Sequence, residues 1–242
     1  MATTSSPKPS VGGSGMNSIL KKTLVALTGL ALIGFLVTHL AGNLFLFGGS
    51  TAFDGYAARL EAMGPLLIVA EIGLAAIFVA HVVMAIKLTV ENKAARGPQG
   101  YAVNDNQSEA PSRFMIVSGV LVALFVILHV KGFKFGPREE FGGSLYALVM
   151  NEFANPGVAI FYIFSMLILG THLTHGFWSL FQTLGLIKPE KRRKVKQICT
   201  VLGWGIALGF LVLPLFGLLS GKKRTPLPDG VKELIQKTEA VR

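Results

Sequence analysis

Polar and apolar positions along the chain do not alternate; they come in blocks. Five blocks, at about 22–47, 65–90, 113–135, 156–184 and 197–220, are apolar around nearly every helical face. Each is long enough to cross ~30 Å of hydrocarbon, which takes about 20 helical residues. A helix apolar on all sides has lipid or a protein core as its solvent, so the pattern predicts an all-α integral membrane bundle of five transmembrane helices. The first block runs well past the 7–15 apolar residues typical of a signal peptide and lacks a clear small-x-small exit site, so it is expected to stay in the mature chain. Residues 1–15 form a Ser/Gly/Pro-rich tail expected to be disordered. The bundle then occupies 16–221, and 222–242 are a polar tail in which Asp229 is placed to N-cap a short helix to Val241. Phe53–Met63 and Gly142–Phe153 carry helical patterning between spans, with Gly64-Pro65 and Asn155-Pro156 as breakers, and are expected to lie along the interface.

Composition agrees: 51% of residues are hydrophobic and 15% charged, with a mean hydropathy of +0.56. The net charge of +10 does not form a basic polar face, so nucleic acid is not the expected partner; the cations gather at span ends, where they set topology and meet lipid. Lys21, Lys22, Lys93, Arg96, Arg113 and the 188–196 cluster fall on one side. The other side has Arg59, Lys131, Lys134 and Arg138 mixed with acidic residues. The positive-inside rule therefore puts the N-terminus in the cytoplasm and, after five spans, the C-terminus outside, although Lys222, Lys223 and Arg224 run against it. The single Cys199 excludes a disulfide framework, a thiolate zinc site and a cysteine-held iron–sulfur cluster, each of which needs two or more thiolates.

All five histidines lie inside spans, where a ligating or ionisable side chain is costly and usually functional. His39, His81, His129 and His172 each sit roughly 24–26 Å from their own span's entry, at 1.5 Å per residue. Because successive spans run oppositely, His39 and His129 share a level toward the outer face, and His81 and His172 share one toward the cytoplasm. Two facing pairs suit two haems, each with one axial imidazole from each of two helices, and Gly29, Gly34, Gly42, Gly73 and Gly170 are candidates to make room for a macrocycle. Without a C-x-x-C-H attachment motif these would be b-type haems. His175, one turn beyond His172, is the second choice of ligand. The alternative is that the histidines are helix-to-helix hydrogen-bonding groups.

The chain resembles the five-helix, di-haem cytochrome b membrane anchor of succinate dehydrogenase and fumarate reductase, complex II, over nearly its whole length after the N-terminal tail. The resemblance rests on Thr28-Gly29 through His39-Leu40 and Asn43-Leu44, on 69–74 ahead of His81, on 145–147 and 152–156, and most specifically on 170–177 and 181–185. It implies His39 with His129 for the outer haem and His81 with His172 for the inner one. It further implies a flavoprotein and an iron–sulfur subunit docked on the cytoplasmic side, with electrons passed between the iron–sulfur subunit and a membrane quinone, for this type menaquinone. The membrane would be the bacterial cytoplasmic (inner) membrane. Glu61, 22 residues after His39, matches the place of an acidic residue that serves quinol oxidation in related members. Glu71 lies about 10 Å into the second span, as a structural, relay or quinone-contacting carboxylate. Where some fumarate reductases of this type carry a proton-conducting Glu, two residues before the fourth-span ligand, this chain has Gly170. Two other classes remain open: the cytochrome b subunit of a hydrogenase or formate dehydrogenase, generally a four-helix design with other ligand spacing, and a haem-free transporter or scaffold, for which no internal repeat or broken helix speaks.

Overall fold

The computed structural model describes residues 18–96 and 114–221, and among these every regular element is a helix: α1 (Ser18–Asn43), α2 (Gly49–Glu61), α3 (Pro65–Arg96), α4 (Met115–His129), α5 (Leu145–Phe153), α6 (Pro156–Thr183) and α7 (Arg192–Ser220). Five helical stretches, built on α1, α3, α4, α6 and α7, are long and apolar enough to cross a membrane. Both terminal tails, Arg113 and the helix expected at 229–241 lie outside the described residues.

Local chemistry sets the ends. The first span, expected to reach residue 47, leaves α-geometry at Asn43 and tightens into a 3-10 turn, Leu44–Gly48, before Gly49 at φ 80° redirects the chain. A tight turn with a glycine in the left-handed region is how the main chain reverses without a Cβ clash. Asn155 caps α6, its side-chain oxygen accepting from the Gly157 N–H at 2.9 Å, with Pro156 in the first turn. The two interfacial segments are helices, as their patterning predicts. They are tied together by Asp54 of α2, which accepts from the Ser144 hydroxyl at 2.7 Å and the Tyr146 N–H at 2.8 Å. α7 begins at Arg192, five residues before the apolar block at 197, because Arg and Lys are good helix formers and periodicity marks only the lipid-facing part.

α1 neighbours α3 and α6, and α4 neighbours the same two. The first four spans therefore form a ring in which α1 faces α4 across one diagonal and α3 faces α6 across the other. α7 lies outside this ring, along α6 and against α1, where a Cβ on Gly209 would stand 2.7 Å from Leu40. Glycines bring α6 and α7 close as well: a Cβ on Gly170 would stand 2.8 Å from the Trp204 ring, and one on Gly203 2.6 Å from the Thr174 backbone nitrogen. Close backbone approach at small residues is the main source of helix association in lipid, where burial from water offers nothing. The packed core is correspondingly one-sided. It comprises Met150 and Phe153 of α5, Tyr162, Met166, Leu169, Leu173 and Phe177 of α6, Phe210 and Leu213 of α7, with Leu46 and Phe53 from the turn and α2. No described side chain of α3 is buried, and α1 buries little beyond Lys21 and Ala26. Lys21 is held by both carboxylate oxygens of Glu91, each at 2.7 Å, which ties the start of α1 to the end of α3.

Candidate functional site

The ring brings the histidines together across its diagonals. His39 of α1 and His129 of α4 have ring centroids 5.8 Å apart and planes 84° to each other. The two rings therefore meet edge to face. The pair is walled by aromatic rings: Phe35 stacks on His39 at 5.1 Å and Phe210 lies at 5.7 Å, while Phe125, Phe133 and Tyr162 surround His129. Asn43, one turn on from His39, donates to the His39 carbonyl at 2.8 Å and leaves its amide 3.3 Å from Nε2.

His81 of α3 and His172 of α6 occupy the second level, on the side of the 188–196 cluster. Each is seated on a hydroxyl–glycine step of the neighbouring helix. Thr28 Oγ1 is 3.1 Å from His81 Nδ1, and Ser118 Oγ is 3.2 Å from His172 Nδ1. Each hydroxyl donates to a carbonyl of its own helix, Thr28 to Leu24 at 2.7 Å and Ser118 to Met115 at 3.0 Å, so its oxygen is free to accept from the imidazole Nδ1–H. That tautomer leaves Nε2 with its lone pair, the form in which histidine binds a metal. The following glycines complete the seat: a Cβ on Gly29 would come within 3.2 Å of His81 Cε1, and one on Gly119 within 3.3 Å of His172 Cε1. The layout is duplicated. Thr28-Gly29 precedes His39 by the same spacing as Ser118-Gly119 precedes His129, and the second histidine of each hairpin follows the first by nearly the same interval. Among the described residues no group of three or more His, Cys, Asp or Glu gathers as a metal cluster; the site consists of two pairs.

Several expectations need correcting. Of the five glycines considered as room for a ligand, only Gly29 lies against a histidine. Gly42 packs on the Tyr56 ring and Gly170 on Trp204, whereas a Cβ on Gly34 or Gly73 would meet nothing within 4 Å, which leaves the expectation for those two as it stood. Gly119, Thr28 and Ser118 were not singled out as partners of histidine; the repeated hydroxyl–glycine step ten positions before His39 and His129 was the available signal. Glu71 is neither enclosed nor unpaired: its side chain is 41% exposed on the bundle surface and forms an ion pair with Lys134, which the π-helical turn Val130–Lys134 carries beyond the end of α4. Glu61 pairs with Arg138 at the rim of the same end. His175 lies within electrostatic reach of His172, one turn further on.

No family model, curated protein or solved structure matches the chain.

Proposed function

We propose that this chain is the membrane-anchor cytochrome b subunit of a five-helix succinate:quinone oxidoreductase. In this reading two b-type haems are held by His39 with His129 and by His81 with His172. The observation that carries it is the seating of two histidine pairs across the diagonals of one four-helix ring, at two levels, with a hydroxyl acceptor and a glycine behind each ligand of one pair. Ordinary helix packing also uses Ser, Thr, His and Gly contacts; what favours haem ligation is that two such histidine pairs sit at two levels of one ring with the same hydroxyl–glycine spacing repeated in two spans. Once bound, the haems supply one-electron carriage between the two sides of the membrane.

The protein's own contribution is orientation and exclusion. Thr28 and Ser118 fix the tautomer and ring angle of the inner ligands. The aromatic shell around His39 and His129 keeps water from the outer pair and lowers the local dielectric. The 188–196 segment faces the cytoplasm and meets the flavoprotein and iron–sulfur subunits, which puts the N-terminus inside and the C-terminus outside, in a bacterial cytoplasmic membrane. A membrane quinone, for this type menaquinone, exchanges electrons at the anchor. Glu61 and Glu71 are the carboxylates that the resemblance and span depth bring there, and their ion pairs with Arg138 and Lys134 leave each with a fixed counter-charge.

The test is a dithionite-reduced minus oxidised spectrum of the purified chain with pyridine haemochrome quantification, followed by coexpression with a flavoprotein and an iron–sulfur subunit. Two b haems per polypeptide, reduced by succinate in the assembled complex, are the expected outcome. A folded, monodisperse chain without haem overturns the reading.

A further inference from the structure

α7 carries no histidine, yet it reaches the outer pair. The buried Phe210 lies with its ring centroid 5.7 Å from that of His39, tilted 38° to it. We infer that the fifth span belongs to the outer site: Phe210 is a positioning residue that fixes the plane in which the His39 imidazole is presented. That an iron is bound there rests on the proposed function; the placing of α7 against His39 comes from the structure alone.

α7 is pinned on both flanks of Phe210. Just before it, Gly209 backs onto Leu40, the residue that follows His39. Beyond it, Gly217 backs onto Phe153 of α5, and Phe216 meets Phe47 edge to face at 5.0 Å. Between these anchors Pro214, wholly buried, interrupts α7 one turn after Phe210. A proline inside a helix withdraws the N–H owed to the carbonyl four residues back, and its ring presses on that carbonyl, so the helix bends there. Here the carbonyl is that of Phe210. The bend and the two anchors leave the Phe210 ring little freedom to follow the imidazole. Two other close neighbours of His39 lack this independence. Phe35 stacks on the ring at 5.1 Å, and Asn43 brings its amide nitrogen to 3.3 Å from Nε2, but both sit one turn away on α1 itself and move with it. Phe35 is also 38% exposed. Groups around a ligating histidine set its ring orientation. At the inner pair the Thr28 and Ser118 hydroxyls do so by hydrogen bonding. At His39 the nearby Asn43 nitrogen is a donor, engaged with the His39 carbonyl at 2.8 Å, and an amide NH₂ accepts no imidazole N–H. Orientation there falls to ring packing from the neighbouring helix.

The experiment uses the full chain in detergent with both haems quantified, wild type against Phe210→Ala, Phe210→Leu, Phe210→Tyr and Pro214→Ala. Low-temperature EPR of the oxidised protein is the readout, and the outer signal is the one that His39→Ala removes. The plane of an axial imidazole sets the anisotropy of a low-spin ferric signal, so a turned ring is seen apart from a loss of stability. The expected result is a shift of the outer signal's largest g value by more than its linewidth in Phe210→Ala, Phe210→Leu and Pro214→Ala. The inner signal and the content of two haems stay unchanged, and Phe210→Tyr, which keeps the ring, restores the wild-type signal. Phe210→Leu keeps apolar bulk without the flat ring, so it and Pro214→Ala decide if the alanine variant does not fold. An outer signal unmoved in both, or equal shifts of the two signals, overturns the inference and leaves the proposed function standing. If the folded wild type takes up no haem, the proposed function itself falls and this inference with it.

Discussion

Replacing Thr28 or Ser118 by Ala removes the oxygen that accepts the Nδ1–H of His81 or His172 and leaves His39 and His129 untouched. An imidazole whose Nδ1–H is hydrogen-bonded is the more basic at Nε2 and so favours the ferric over the ferrous state of the iron that it binds. With the proposed haem bound, losing that acceptor should therefore raise the reduction potential of the inner haem. A neutral hydrogen bond is worth about 0.5–1.5 kcal/mol net. A one-electron couple moves by about 59 mV for each tenfold change, or each 1.4 kcal/mol. The rise should then be roughly 20–60 mV for each variant if most of the bond's worth is felt by the ferric state. Thr28→Ala should fall toward the lower end, because the Val25 carbonyl also interacts with the His81 ring, whereas Ser118 is the hydroxyl against His172. Thr28→Ser and Ser118→Thr keep the oxygen and should restore the wild-type potential. Potentiometric titration of the α-band, with both haems quantified, reads the shift directly. Equal shifts of both haems, or no shift above about 10 mV in either alanine variant at full haem content, would refute the hydroxyl's role as acceptor.

Other expected outcomes are independent of that one. His172→Ala should lose one haem and keep the other, and His39→Ala the converse, while His175→Ala should keep both; haemochrome quantification per chain decides. Gly29→Val and Gly119→Val push a side chain into His81 and His172 at contacts already as short as 3.2 and 3.3 Å for a bare Cβ, so each should lose the inner haem alone. Gly203→Leu should cost about 1–3 kcal/mol by overpacking against the Thr174 backbone, read as a lower unfolding midpoint in detergent, with haem content retained below that midpoint. Lys21→Met strands Glu91 and should destabilise the α1–α3 pair by about 1 kcal/mol, discounted because the Glu91 side chain is 39% exposed; the double variant with Glu91→Met should recover part of the loss.

Much of this architecture is legible in the sequence because lipid imposes simple requirements. Length and all-round apolarity mark the spans, and proline with its capping Asn155 marks where α6 begins. Depth along a span follows from a fixed rise per residue, so the levels of the four histidines can be read before any contact is known. Depth pairs His39 with His129 and so sets α1 opposite α4, but it does not place the fifth span, which packs along α6 and against α1. The partners of Glu61 and Glu71 escaped for a related reason. Arg138 and Lys134 are far away in sequence, and it is the π turn after His129 that brings Lys134 to Glu71. Thr28 and Ser118 look like ordinary small residues in an apolar run, and only the coincidence of their spacing in two spans distinguishes them.

The one-sided core has a consequence in time. α5, α6 and α7 hold one another through interlocked side chains and glycine contacts, and need nothing further to stay together. α1 still lays Ile33, Leu36 and Leu40 against that core, but α3 buries no described side chain and is clasped to α1 by Lys21 and Glu91, and segments with few buried contacts are the cheapest to open locally. The sparsest packing in the bundle thus lies along α3. In hydrogen exchange, α3 should be the first of the five spans to lose protection and α6 the last.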